Sequence, residues 1–273
     1  MSEKTVLSQN TQPVGKSTSS RWTKNARKIL LANASIIVFV ILWEIAYQAG
    51  WANPRYTSAP SLIITTMYSE LVDGKLLTHI GVTLWEFVLG FSIAAIVGIL
   101  LGFAMSWYRF VYVILDPFVS ALYATPRIVL LPLIILTMGI GAEAKVLIVF
   151  LTAVFPILIN THTGFSNLDQ NLMRVARSFN ASNLQLFRTL ALPGSVPYIV
   201  SGLRLGVAQA LIGVIVAEMF VATSGLGYLV QMASSTFQTD LMYVGIILVA
   251  AMGMVFVNFL RKIEDHFSSW KVE

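Results

Sequence analysis

The stretch FVLGFSIAAIVGILLGFAMS, residues 87 to 106, contains no charged side chain. A helix of that length rises about 1.5 Å per residue and covers roughly 30 Å, the thickness of the hydrocarbon core of a bilayer. It is also patterned. Gly90, Ala94, Gly98 and Gly102 recur every four residues and so line one side of the helix as a smooth stripe. Small residues let helices approach closely, and van der Waals packing then replaces the hydrophobic drive that lipid removes. Such a stripe serves either contact within one subunit or packing between two copies of the chain. Gly202 and Gly206 repeat the pattern further on.

The rest of the chain agrees with a membrane environment. Of 273 residues, 56% are hydrophobic and 11% are charged, whereas an ordinary soluble domain carries about 25% charged residues. Cysteine is absent, which excludes disulfides, thiol nucleophiles and Cys-based metal sites, and His79, His162 and His266 lack ligand spacing. The net charge of +5 sits beside apolar stretches, where it serves topology rather than nucleic-acid binding. Gly15-Lys16-Ser17 resembles the end of a phosphate-binding loop, but Asn10 stands where that motif needs Gly. No cofactor site is expected in this chain.

The expected fold is all-α, a polytopic bundle with spans near 29–49, 84–106, 113–138, 145–161, 198–222 and 242–260. Residues 1–28 read as a disordered tail, 29–262 as the membrane domain, and 263–273 as a second tail. Arg21, Lys24, Arg27, Lys28, Arg109, Arg174, Arg177, Arg188, Arg261 and Lys262 fall on one side, against Arg55 and Lys75 on the other. The positive-inside rule therefore puts both termini in the cytoplasm. On the far side, Ser61 can cap a short helix ending at Gly74, and Gly225-Leu226-Gly227 permits a tight turn in an exposed stretch.

Inside the third span, Pro126 and Pro132 each remove a backbone hydrogen bond, so a broken helix is expected. Irregular backbone at that depth is tolerated only against protein or water, so 125–133 is either a candidate pathway lining or a simple kink for packing. Glu44, Glu86, Asp116, Arg127, Lys145, Arg204 and Glu218 are ionisable groups in or beside spans, where such groups face an interior or a cavity. Arg127 and Arg204 either give an anion pathway its favourable potential or pair with Glu86, Asp116 or Glu218. Glu218 is itself a candidate pathway residue.

The loop at 162–196 is organised. Leu168, Leu172, Val175, Ala176 and Phe179 share one helical face, opposite Arg174 and Arg177. Asn180 can turn the chain because it tolerates the left-handed conformation. Ser182 and Gln185 form a capping box for a second helix with Leu184, Phe187, Leu190 and Ala191 on its apolar face, limited by Pro193. The result is a helix-turn-helix shaped for docking on a partner, the alternative being an amphipathic element that rests on lipid headgroups.

These residues resemble the cytoplasmic loop of binding-protein-dependent permeases of ATP-binding-cassette importers. That family reads Glu-Ala-Ala, three residues, Gly, nine residues, Ile, one residue, Leu-Pro. Here the matching positions are Arg174-Val175-Ala176, Asn180, Leu190 and Leu192-Pro193, with Ala181 and Ser182 inside the same turn. Arg174 replaces the family's Glu and Asn180 its Gly. Asp116-Pro117, Phe155-Pro156-Ile157, Ala217-Glu218 and Ser224-Gly225-Leu226-Gly227 extend the likeness, toward the branch for nitrate, sulfonates such as taurine, and bicarbonate. The resemblance implies a type I importer permease in a bacterial inner membrane. It implies a homodimer, two cytoplasmic ATPase subunits that bind ATP and Mg and hold this chain's loop at 168–192 in a groove, and an external binding protein. The chain itself would not be an enzyme. An ion-gradient-driven secondary transporter should instead show inverted repeats, and an intramembrane enzyme should show a catalytic set; neither is present.

Overall fold

The computed structural model describes residues 34–51 and 53–267, and all regular structure among them is helical. The tail at 1–28, the start of the expected first span and residues 268–273 lie outside the described residues. The described part of that span is a helix, α1 (Ala34–Gln48), with a Gln48 Nε2 to Glu44 Oε1 hydrogen bond of 3.0 Å. It belongs to a unit of its own, and the remainder of the chain forms the second.

The second unit contains α2 (Pro60–Val72), α3 (Lys75–Trp107), α4 (Arg109–Ala124), a 3-10 turn (Arg127–Leu130), α5 (Leu131–Met138) and α6 (Ala142–Ser166). These are followed by α7 (Gln170–Ser178), α8 (Asn183–Leu186), α9 (Leu192–Val221), α10 (Leu226–Ser235) and α11 (Thr239–Phe267). Four helices among the described residues are long and apolar enough to span a bilayer, and the bent pair of α4 with α5 makes five. Six were expected. The difference is the first span, of which only the shorter α1 is described.

The second unit is built around α6. Its apolar window is 67% buried by the rest of the protein, against 22% for α11. The small-residue stripe of α3 lies against one side of α6. A Cβ at Gly90 would lie 2.6 Å from Val149 Cβ, and one at Gly102 would lie 2.7 Å from Thr161 Cβ. The stripe therefore packs α3 on α6 within one subunit, which removes Gly90, Ala94, Gly98 and Gly102 from any face offered to a second copy. Gly202, Gly206 and Gly213 bring α9 onto the other side of α6, against Asn160, Ile157 and Thr152.

Proline acts according to its position. Pro126 forces Thr125 into an extended conformation (φ −77°, ψ 130°), and α4 meets the following segment at 94°. Pro132 does not break the span, as the sequence had suggested; it sits in the first turn of α5, where its missing N–H has no intrahelical partner to lose. Ser61 likewise follows Pro60 inside α2, and the N-cap is Ala59 without a side-chain cap. The stretch after α9 is not an exposed loop, because α10 buries Leu226, Gly227, Leu229 and Ala233.

Candidate functional site

At one end of the bundle the segment between α6 and α9 projects as a short, rigid knob. Asp169 caps α7, accepting the Asn171 N–H at 2.7 Å. At the other end of α7 the chain turns through Asn180, whose φ is 57°. The Asn180 N–H donates to Arg177 O at 2.9 Å and the Ala181 N–H to Ala176 O at 3.1 Å. That pair of bonds is a Schellman motif and satisfies carbonyls that a helix end otherwise leaves unpaired. Ser182 and Gln185 then form the expected capping box, at 3.3 Å and 2.8 Å.

Pro193 does not limit the second helix. From Asn183 the chain runs as one helix of 39 residues to Val221. A π turn over Phe187–Ala191 widens the backbone just before Pro193, where a regular helix would lose a bond and clash with the preceding turn. The fifth span thus begins inside the expected loop, and α6 extends to Ser166. The free segment is 167–182 rather than 162–196.

The knob is anchored by aromatic packing. Phe187 lies 5.5 Å from Phe103, 5.8 Å from Trp107 and 5.9 Å from Phe165, ring centre to ring centre. Leu186 and Ala191 are buried beneath it, and Leu168 fills the space left by Gly194. Leu186 was not on the face read from the sequence; the π turn shifts the register by which that face is counted. Above this base, apolar side chains point outward: Phe179 is 82% exposed, Leu184 58%, Val175 54% and Leu172 47%. Arg174, Asn180 and Ser182 are exposed beside them, while Ala176, Ala181, Leu190, Leu192 and Pro193 are partly covered.

In the bent span, Arg127 sits directly after the break. Its Nη2 donates to Tyr123 O at 3.0 Å, and its guanidinium lies over the rings of Tyr123 (5.0 Å) and Phe155 (5.7 Å). Among the described residues no carboxylate lies within ion-pair distance of Arg127. The other intramembrane charges pair differently from the expectation. Arg204 is joined to Glu264 at 2.7 Å rather than to Glu86, Asp116 or Glu218. Glu86 is joined to Lys145, and both are buried. Glu218 does not line an open path. It is fully buried, and its partners are neutral.

Those partners form a cluster at the end of the bundle opposite the knob. Glu218 Oε1 accepts from the Thr83 hydroxyl at 2.7 Å, and Oε2 accepts the Gly227 N–H at 2.7 Å. Thr83 Oγ1 also accepts the Leu226 N–H at 2.8 Å, and His79 Nδ1 accepts the Gly225 N–H at 3.0 Å. Three orphan N–H groups at the start of α10 are thus capped by side chains from α3 and α9. Gly225, at φ 120°, and Gly227 press directly on the carboxylate, where a Cβ would collide with it. Sequence reading found Glu218 and the glycines but missed His79 and Thr83, because a cap supplied from another helix leaves no local spacing.

Compared with known proteins, residues 94–268 match the family described as binding-protein-dependent transport system inner membrane component. The chain is 36% identical over 78% of its length to an Escherichia coli protein named for aliphatic sulfonates transport permease, covering 81% of that protein. It is 28% identical over 93% of its length to the taurine transport system permease protein of Escherichia coli, covering 94% of it. It is 27% identical over 87% of its length to the nitrate import permease protein of a Synechocystis strain, covering 89% of it. In structure it is similar to a chain of the methionine ABC transporter MetNI in an inward-facing conformation. That likeness has a TM-score of 0.58 at 18% identity, covering 72% of this chain and 96% of the other.

Proposed function

Because this chain belongs to the binding-protein-dependent transport system inner membrane components, we propose that it forms the translocation pathway for a small anion and is driven by separate ATPase subunits. One observation carries the coupling half of this reading: a rigid, aromatic-anchored knob holds Phe179, Leu184, Val175 and Leu172 out from the bundle. An exposed apolar cluster on an ordered element fits a partner surface. The partner is a cytoplasmic ATPase that binds ATP and Mg, and its closure moves the spans between inward and outward openings. Two copies of the chain and two ATPases make the transporter, and an external binding protein delivers solute at the opposite face. The setting is a bacterial inner membrane with both termini cytoplasmic. The chain hydrolyses nothing itself.

The anion half is supported by Arg127, a cation beside the only sharp break among the described spans and without a carboxylate partner there. It is supported also by relatives named for sulfonates, taurine and nitrate. The test is uptake of labelled taurine, an alkanesulfonate or nitrate into proteoliposomes that hold the chain with its ATPase and binding protein. Accumulation that needs ATP on the knob side is expected. Accumulation driven by an ion gradient without ATP would replace this reading with a secondary transporter.

A further inference from the structure

Two cavities meet at Trp107, on the knob end of α3, and they differ in chemistry. One, of about 490 Å³, is lined by Ser106, Arg109, Tyr112, His162 and Ser166. The other, of about 370 Å³, is lined by Phe103, Ala104, Tyr108, Leu184 and Phe187. Trp107 is shared by both. In the polar cavity the Ser106 hydroxyl lies 2.8 Å from His162 Nδ1, and the imidazole is stacked on Tyr112 at 5.1 Å. Arg109 is exposed, and among the described residues it makes no ion pair.

We infer that this pair of cavities is a binding site for an acidic phospholipid, whose phosphate is held by Arg109 and the Ser166 hydroxyl and whose acyl chain lies along Phe103, Ala104 and Phe187. The occupant follows from the juxtaposition. A small anion would leave the apolar cavity empty, and an uncharged chain would leave the guanidinium unmatched. Trp107 lies between the two and Tyr108 follows it in the apolar cavity, aromatic residues of the kind expected where a bilayer passes from headgroup to hydrocarbon. Phe187 anchors the knob, so the lipid would touch the base of the element that a driving subunit would grip. The inference requires a bilayer only, and it stands or falls separately from the transported solute.

The test is quenching of Trp107 fluorescence in the purified, reconstituted full-length chain by brominated phosphatidylglycerol or brominated phosphatidylcholine. The Trp107 signal is obtained by difference from Trp107→Phe. Half-quenching is expected at about fivefold lower mole fraction of phosphatidylglycerol, the ratio equivalent to about 1 kcal/mol for one basic residue near acidic lipid. Arg109→Gln is expected to abolish the preference and Arg109→Lys to keep most of it. Equal quenching by the two lipids, or a preference that survives Arg109→Gln, overturns the site. So does displacement by millimolar inorganic phosphate, which would mark a small-anion pocket. Because the chain has no cysteine, Tyr108→Cys offers a further control: a disulfide between two copies in the membrane would show that a second chain, not lipid, covers the apolar cavity.

Discussion

The Glu218 carboxylate accepts the Thr83 hydroxyl proton at 2.7 Å, tying together two helices whose contacting residues are 135 positions apart. Thr83 passes the connection on by accepting the Leu226 N–H, and Glu218 does so by accepting that of Gly227. Glu218→Leu removes both acceptors and leaves the buried Gly227 N–H without its partner. A loss of about 1–3 kcal/mol is expected, the usual cost of leaving a buried polar group unsatisfied. Thr83→Val should lose a similar amount, and the double variant should lose less than the sum. Thermal unfolding followed by tryptophan fluorescence measures this; strictly additive losses would mean that the two residues act independently.

Glu86 and Lys145 form a buried ion pair between α3 and α6. Lys145→Met alone leaves a buried carboxylate without its counter-charge and is expected to cost about 3–5 kcal/mol, whereas Glu86→Met with Lys145→Met should recover most of it. Detergent-solubilised yield and unfolding midpoint of the three proteins give the comparison.

The contact of α3 with α6 predicts a steric rank order. Gly90→Val places its Cβ against Val149, and Gly102→Val places its own against Thr161; overpacking of this kind costs typically about 1–3 kcal/mol. Gly81→Ala meets open space and should be silent. Equal midpoints for Gly81→Ala and Gly90→Val would contradict the packing.

Asn180 holds a positive φ at the knob. Asn180→Gly should be neutral or slightly stabilising, while Asn180→Val should destabilise the turn by about 1–2 kcal/mol, the penalty for a left-handed residue that carries a branched side chain. Proteolysis at 179–182 is expected to rise only in the valine variant.

Phe179→Asp changes a side chain that the isolated chain does not use. Unfolding midpoint and membrane insertion should stay at the wild-type level while ATP-driven uptake and co-purification with the ATPase are lost. Wild-type uptake by this variant would remove the coupling role from the knob.

What could be read from the sequence follows the range of the interactions. The Asn180 turn and the Ser182–Gln185 capping box were legible because each is closed within a few residues. The small-residue stripe was legible as a contact surface, but its partner, α6 of the same chain, is a tertiary fact. Pro193 was misread because the rule that proline ends a helix assumes regular geometry, and the π turn over Phe187–Ala191 suspends that assumption. The partner of Arg204 is Glu264, sixty residues further along, and no spacing rule connects them. His79 and Thr83 escaped notice for the same reason.

The helix from Asn183 to Val221 is unbroken over 39 residues, a contour of about 58 Å at 1.5 Å per residue. One end is the knob, and near the other is the carboxylate that clamps α10. A lever of that length needs little input: a tilt of about 10° at a fixed midpoint carries each tip roughly 5 Å in opposite senses. On the proposed coupling, a small displacement delivered at the knob would reach the α9–α10 corner in the opposite sense, with α3 carried along through the Glu218–Thr83 hydrogen bond.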